Sequence, residues 1–454
     1  MSQSQSFDFL VGTFNTPQLY TLRFTPSSQS CLSSTLKIVQ RSSAIGSHSW
    51  LHLTSPRPDG TRTLYATAWT EPPTVVAYAV HSPTQISLLG TARTQSRSGY
   101  VCASDAAVYS AGGATGEVFV IDRETGGFLP QPSQANGDTK RDTPRSTSPT
   151  PVPPLQTISF LDASSQRDDG SVMDFGGLRH GAHSADLSPD QRALYVADIG
   201  RNCIWTFSVS PVDGGRVTPG EKHVSPRPND GPRHVWPHPS GRYVYCLQEH
   251  TSMVDVFSTS DGGVTLEHEQ GVRIIPAGEV ESEFWADEVR TSFSHASKPR
   301  YLYASTRGLD PRRKGYVAVY KLTEEGRIDT SSVASNASIS ANGSTSGGSG
   351  GGSGSDHTTL TNGNDNGANA NANTKAATQD PYAGLLCMYE TATSGGWANA
   401  VQPGPTVDGV EYLAMTDSEE GFVFVLSWDG KEMKEVARTK LDEGAGAATA
   451  VWFS

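Results

Sequence analysis

Gly181 to Phe207 reads GAHSADLSPDQRALYVADIGRNCIWTF, and Gly231 to Phe257 reads GPRHVWPHPSGRYVYCLQEHTSMVDVF. The two segments align without a gap at an offset of 50 residues. Each opens on a glycine, runs through a strand-like stretch, and turns at a proline (Ser188-Pro189-Asp190 and His238-Pro239-Ser240-Gly241). A second run around a tyrosine, a polar turn and a third run ending in phenylalanine follow. A repeat of this length predicts a solenoid or a propeller. The offset also sets His183 opposite Arg233.

The same unit recurs on both sides. TLYATAWTEPPTVVAYAV from Thr63, AVYSAGGATGEVFVID from Ala107, RYLYASTRGLDPRRKGYVAVYKL from Arg300 and EYLAMTDSEEGFVFVLSWDG from Glu411 each repeat run, turn and run. Their marker tyrosines are Tyr65, Tyr109, Tyr303 and Tyr412, alongside Tyr195 and Tyr245. FDFLVGTFNTPQLYTLRF, residues 7–24, is a hairpin without inner strands, followed by a longer polar segment. EVARTKLDEGAGAATAVWFS, from Glu435, adds two short strands without a marker. Six whole units and two half-units make seven. Pairing the first strands of the chain with the last closes a ring and removes exposed edges. The expectation is an all-β single domain over 1–454, a seven-bladed propeller of four-stranded blades. Apolar residues on both faces of Gly421–Trp428 and Gly315–Tyr320 suit sheets packed between neighbours. No window holds a helical period, so helices should be nearly absent.

Composition agrees. Aliphatic and aromatic residues make up 35% of the chain, with 46 glycines and 28 prolines to supply tight turns. The formal charge of −12 disfavours nucleic acid and anionic membrane as partners. It leaves a small anionic substrate open, because that answers to a local field. The five cysteines, Cys31, Cys102, Cys203, Cys246 and Cys387, have no CxxC spacing and read as reduced thiols of a cytoplasmic protein. The start of the chain lacks a basic and an apolar signal region, and no run is long enough to span a bilayer. Residues 130–157 read as a polar excursion between blades. Residues 331–380, with GGSGGGSGSD, read as a disordered insert at a blade junction. The sequons at Asn336 and Asn342 then read as chance features of that polar tract.

The innermost strands of a propeller line a channel, and their starts form the rim where small ligands bind. His183 and Arg233 start adjacent inner strands. Glu249 follows Tyr245 by four residues, and Arg307 follows Tyr303 by four. Four residues therefore come from consecutive units at two equivalent positions. Arginines clamp carboxylates. Histidine titrates near neutrality and moves protons. Glu249 could orient the histidine or act as an acid or base. Each residue also has a plain reading, as a scaffold hydrogen-bonder, a strand-turn pair or a solvated turn residue. His180, His234, His238 and His250 lack metal-ligand spacing. Asp186, Asp198, Asp287, Glu288 and Asp417 lack a calcium-loop pattern. No phosphate loop, nucleophile elbow or dinucleotide fingerprint occurs, so neither metal nor cofactor is expected.

GAHSADLSPD, GPRHVWPHPSGRYVYCLQE, ASTRG from Ala304, TSGGWANAVQPGP from Thr393 and TDSEEGFVFVLSWDG resemble the lactonase-type seven-bladed propellers. That family includes bacterial 6-phosphogluconolactonases and fungal 3-carboxy-cis,cis-muconate lactonizing enzymes, or carboxy-cis,cis-muconate cyclases. The fungal branch is the nearer. The resemblance implies catalytic roles for His183, Arg233, Glu249 and Arg307, with Arg233 and Arg307 binding substrate carboxylates. It implies a cofactor-free cycloisomerase of aromatic-compound (protocatechuate, β-ketoadipate) catabolism, acting on 3-carboxy-cis,cis-muconate. His183, oriented by Glu249, would deliver the proton, with Glu249 as the other candidate acid. Hydrolysis of a sugar-acid lactone and a non-enzymatic interaction scaffold are the competing readings.

Overall fold

The computed structural model describes residues 5–27, 33–130, 151–161, 181–292, 298–331, 339–340 and 380–453. Seven sheets stand around a ring. Blade 1 runs Leu51–Leu53, Arg62–Ala68, Thr74–Ser82 and Gln85–Arg93 from the axis outward. Blade 3 runs Ala182–Leu187, Ala193–Asp198, Cys203–Val209 and Val217–Val224, and blade 4 runs Pro232–Pro237, Tyr243–Gln248, Met253–Ser260 and Thr265–Arg273. Blades 2, 5 and 6 open on Tyr100–Ala103, Phe284–Thr291 and Val401–Val407. Among the described residues there is no α-helix, only 3-10 turns at Asp261–Gly263 and Glu281–Glu283.

Blade 7 closes the ring. Its innermost strand is Ala447–Trp452, and Phe7–Thr13, Gln18–Thr25 and Thr35–Ser43 complete it. Phe9 stands opposite Trp452, their rings 4.4 Å apart. The polar segment after the first hairpin thus contains two strands, the outer strand of blade 7 and the short inner strand of blade 1. Their alternating polar residues hide them in the sequence. Of the two strands at the C-terminal end, Met433–Lys440 is the outer edge of blade 6 and not part of the closing blade.

Four of the marker tyrosines join one blade to the next. Tyr65 Oη donates to the Gly126 carbonyl at 2.9 Å, Tyr109 to Gly215 at 3.0 Å and Tyr245 to Gly326 at 2.6 Å. Each acceptor lies in the turn before the outer strand of the following blade. Gly326 has φ +107°, and a Cβ there would stand 2.6 Å from the His238 ring, so glycine is required. Tyr303 bonds Glu411 of blade 6 instead, at 2.6 Å.

The flanks of both polar insertions belong to single blades. Thr115–Val120 and Gln156–Ser159 are neighbouring strands of blade 2, and Tyr316–Lys321 and Leu385–Glu390 of blade 5. In chain order the insertions therefore fall between the third and fourth strands of one blade, and not between blades. Val152, at the described end of the first insertion, bridges to Ala92 on the outer strand of blade 1. Residues 131–150, both sequons, Cys31 and most of 331–380 lie outside the described residues. Cys102, Cys203, Cys246 and Cys387 are buried.

Candidate active site

The innermost strands of blades 3, 4 and 5 share an irregularity. Pairing with the second strand skips a residue between Ala182 and Ser184, between Pro232 and His234, and between Ala286 and Glu288. The extra residues are His183, Arg233 and Asp287. A one-residue bulge re-aims a side chain out of the alternating pattern. Here three consecutive bulges supply side chains to one cavity. The same register aligns Gln248 with Thr306, and hence Glu249 with Arg307 one residue later.

The cavity holds about 330 Å³ at the starts of the inner strands. His183, Arg233, Glu249 and Arg307 all line it. All seven blades contribute. Blades 3 to 5 supply the ionisable groups other than Arg97, whereas Gly99, Ala400, Thr449 and Ser49 supply small residues from the others. Trp69, Arg97 and Trp397 stand at the rim, where Arg97 lies 5.2 Å over the Trp69 ring.

Arg233 is nearly buried, and its fork is taken up within the protein. Nη1 donates to Glu249 Oε2 at 2.6 Å, Nη2 to Asp287 Oδ1 at 2.9 Å, and Nε to the Asp287 carbonyl at 3.1 Å. Asp287 Oδ2 accepts from the Asn399 amide at 2.9 Å. The charge of Arg233 is thus matched by two carboxylates, and it offers no open fork for a bidentate clamp. Glu249 does not bond His183. Its Oε2 is held by Arg233, and Oε1 lies 3.8 Å from His250 Nε2. The short bond to a buried guanidinium outcompetes any to an imidazole that is held neutral.

His183 is 9% exposed, with Nδ1 buried and without a hydrogen-bond partner. Burial, then Arg233, His234 and Arg307, push its pKa well below the ordinary imidazole value. Arg307 lies 4.8 Å over the Trp285 ring, and its Nη1 donates to the Gly396 carbonyl at 2.7 Å.

Three lining residues have no place in the sequence-derived set: Asp287, His234 and Glu288. His234 Nδ1 lies 3.1 Å from Glu288 Oε1, and the His234 and His183 rings are 5.3 Å apart. Asp287 is the third bulge, but it precedes its marker Tyr303 by 16 residues where His183 and Arg233 precede theirs by 12. A gapless repeat search passes over it. Among the described residues no group of three or more His, Cys, Asp or Glu is gathered as metal ligands would be.

The sequence profile described as "Lactonase, 7-bladed beta-propeller" matches residues 8–338, well over half of the chain. The chain belongs to the seven-bladed β-propeller lactonase family. This lactonase-family chain is 35% identical over 459 residues to a protein named Muconate cycloisomerase 1 from Cutaneotrichosporon cutaneum, covering 99% of this chain and 98% of that one. It is 24% identical over 281 residues to the Carboxy-cis,cis-muconate cyclase of Neurospora crassa, 60% of each chain. The periplasmic gluconolactonase of Pseudomonas aeruginosa superposes with a TM-score of 0.63 at 14% identity, covering 99% of both chains. A Bacteroides uniformis protein, provisionally a 6-phosphogluconolactonase, does so at 0.63 and 16%, covering 98% of this chain and 99% of that one. These two likenesses speak to the fold of the family alone.

Proposed function

We propose that this lactonase-family propeller is a cofactor-free cycloisomerase that closes 3-carboxy-cis,cis-muconate, or muconate itself, to a muconolactone. The observation that carries the reading is the cavity. Three arginines (Arg97, Arg233 and Arg307) and two histidines (His183 and His234), with the carboxyls of Glu249, Asp287 and Glu288, share with small residues the lining of a space at the lower end of the range for small-ligand sites. The near full-length similarity to Muconate cycloisomerase 1 supports the same substrate class.

In the reaction, one carboxylate oxygen forms a bond to the distant alkene carbon. The alkene electron pair moves toward the remaining conjugated carboxylate, and the carbon next to that carboxylate takes a proton. No electrons are gained or lost. Charge grows on the second carboxylate, where Arg307 and the fixed charge of Arg233 stabilise it. His183 delivers the proton. Burial first, and then its cationic neighbours, hold it neutral. A bound polyanion opposes the cationic part and favours the imidazolium.

The test is loss of the diene ultraviolet absorbance when purified protein meets cis,cis-muconate and 3-carboxy-cis,cis-muconate, with 6-phosphogluconolactone run alongside. Loss of the diene signal from one or both muconates, without accelerated lactone hydrolysis, is expected. An unchanged diene spectrum with both substrates overturns the reading.

A further inference from the structure

Beneath His183 lies a buried chain of hydrogen bonds and one ion pair that the reading above leaves unused. His234 Nδ1 meets Glu288 Oε1 at 3.1 Å. Glu288 Oε1 and Arg290 Nη2 form an ion pair of 3.0 Å. Arg290 Nη2 also donates to Tyr100 Oη at 3.1 Å, and Tyr100 donates to Asp186 Oδ2 at 2.7 Å. The residues come from blades 2 to 5 and are nearly inaccessible. Arg290 is clamped between Trp50 and Trp236, at 5.1 and 4.2 Å from their rings, so the chain is rigid. Its upper end is open in chemical terms. His234 Nε2 and His183 Nδ1 are both buried, both lack a hydrogen-bond partner, and belong to adjacent rings.

We propose that Glu288 and His234 form a proton-supply pair that charges His183 from below, so that His183 can protonate the substrate carbon in successive turnovers. The proposal rests on the cycloisomerase reading.

The proton inventory closes. The singly protonated pair carries its extra proton on Glu288, whose carboxyl faces Nδ1 of a neutral His234 ring. His183, with its own proton on Nε2, takes the Nε2 proton of His234 at Nδ1, while His234 takes the Glu288 proton at its Nδ1; the His183 imidazolium then gives its Nε2 proton to carbon. The pair is left as a neutral ring on a carboxylate, solvent returns the proton, and both rings return to their starting tautomers. Around His234, Arg233 and Arg290 oppose the charge, whereas Glu288, Asp287 and Glu249 favour it; burial outweighs both and holds the free ring neutral. Burial, opposed by Arg290 and Arg233, pushes Glu288 up to about 7, which keeps a proton on the pair near neutrality. At the lower end burial likewise raises Asp186 to about 7, opposed by Arg290 and the Tyr100 bond. The donor state is therefore full below neutral pH and empties as pH rises above it.

The test uses the full chain with Glu288→Gln, which keeps an acceptor for Arg290, and His183→Ala as reference. Turnover of the muconate that the wild type consumes is followed from pH 5.5 to 9. Expected for Glu288→Gln is a fall in kcat at neutral pH of about tenfold or more, with KM within about threefold and the alkaline limb of kcat displaced downward by about one pH unit or more. Inhibition by adipate, a saturated six-carbon dicarboxylate, is expected to stay within about threefold of wild type and so reports an intact cavity. Glu288→Asp is expected to restore part of kcat and return the limb toward its original position. A Glu288→Gln profile that superimposes on the wild type, while His183→Ala is inactive, overturns the pair and leaves the function standing. A wild type inert toward both muconates overturns the function itself. If Glu288→Gln no longer binds adipate, the Glu288→Asp profile decides, and an unmoved alkaline limb there also overturns the pair.

Discussion

Arg233 and Asp287, the bulged residues of neighbouring inner strands, are joined by an ion pair of 2.9 Å. A second pair, of 2.6 Å, joins Arg233 to Glu249. One guanidinium therefore staples blade 4 to blade 5 at the cavity and sets the position of two carboxylates. Its role in stability and its role in the site follow from the same contacts.

Arg233→Ala leaves Glu249 and Asp287 buried without their cation. The expected cost is about 3–5 kcal/mol of folding stability. The check is the denaturant midpoint. Adding Asp287→Asn to Arg233→Ala is expected to recover part of the loss, because one stranded charge goes. Equal midpoints for the double and single variants would count against the staple.

His183 is neutral in the empty cavity because burial and three cationic or ionisable neighbours oppose its charge. Binding a dicarboxylate adds the opposing charge and raises its pKa. Adipate binding near pH 7 is therefore expected to take up protons. Calorimetry in two buffers of different ionisation enthalpy measures the uptake, which should shrink markedly in His183→Ala.

His48 is fully buried between the Thr67 carbonyl, 2.6 Å from Nδ1, and Tyr78 Oη, 2.9 Å from Nε2. Burial lowers its pKa to about 4, below that of the unfolded chain near 6.5. Its stabilising contribution is complete above about pH 6.5 and is lost as pH falls toward 4, because the unfolded state takes up the proton first. The loss is on the order of 3 kcal/mol. His48→Gln should flatten the denaturant midpoint against pH over that window.

Tyr245→Phe removes the 2.6 Å latch to Gly326 and leaves a buried carbonyl unpaired. A loss of about 1–3 kcal/mol is expected, read as a lower denaturant midpoint with unchanged cavity binding of adipate. Gly326→Ala should cost at least as much, since its Cβ would collide with His238.

The sequence alone carried the blade repeat, the number of blades and the closure of the ring. These depend on alternation, turns and the pairing demands of edge strands, which are local or topological. It also carried two repeat-equivalent positions, His183 with Arg233 and Glu249 with Arg307, because a gapless offset preserves them. The third bulge residue, Asp287, was lost to four extra residues before Tyr303. Partnership was decided by tertiary structure. Glu249 binds Arg233 and not His183, and Glu288 in the next blade holds His234. Such choices turn on the direction a bulge gives each side chain and on which charge is buried nearest, and both quantities exist only once the blades are packed around the axis.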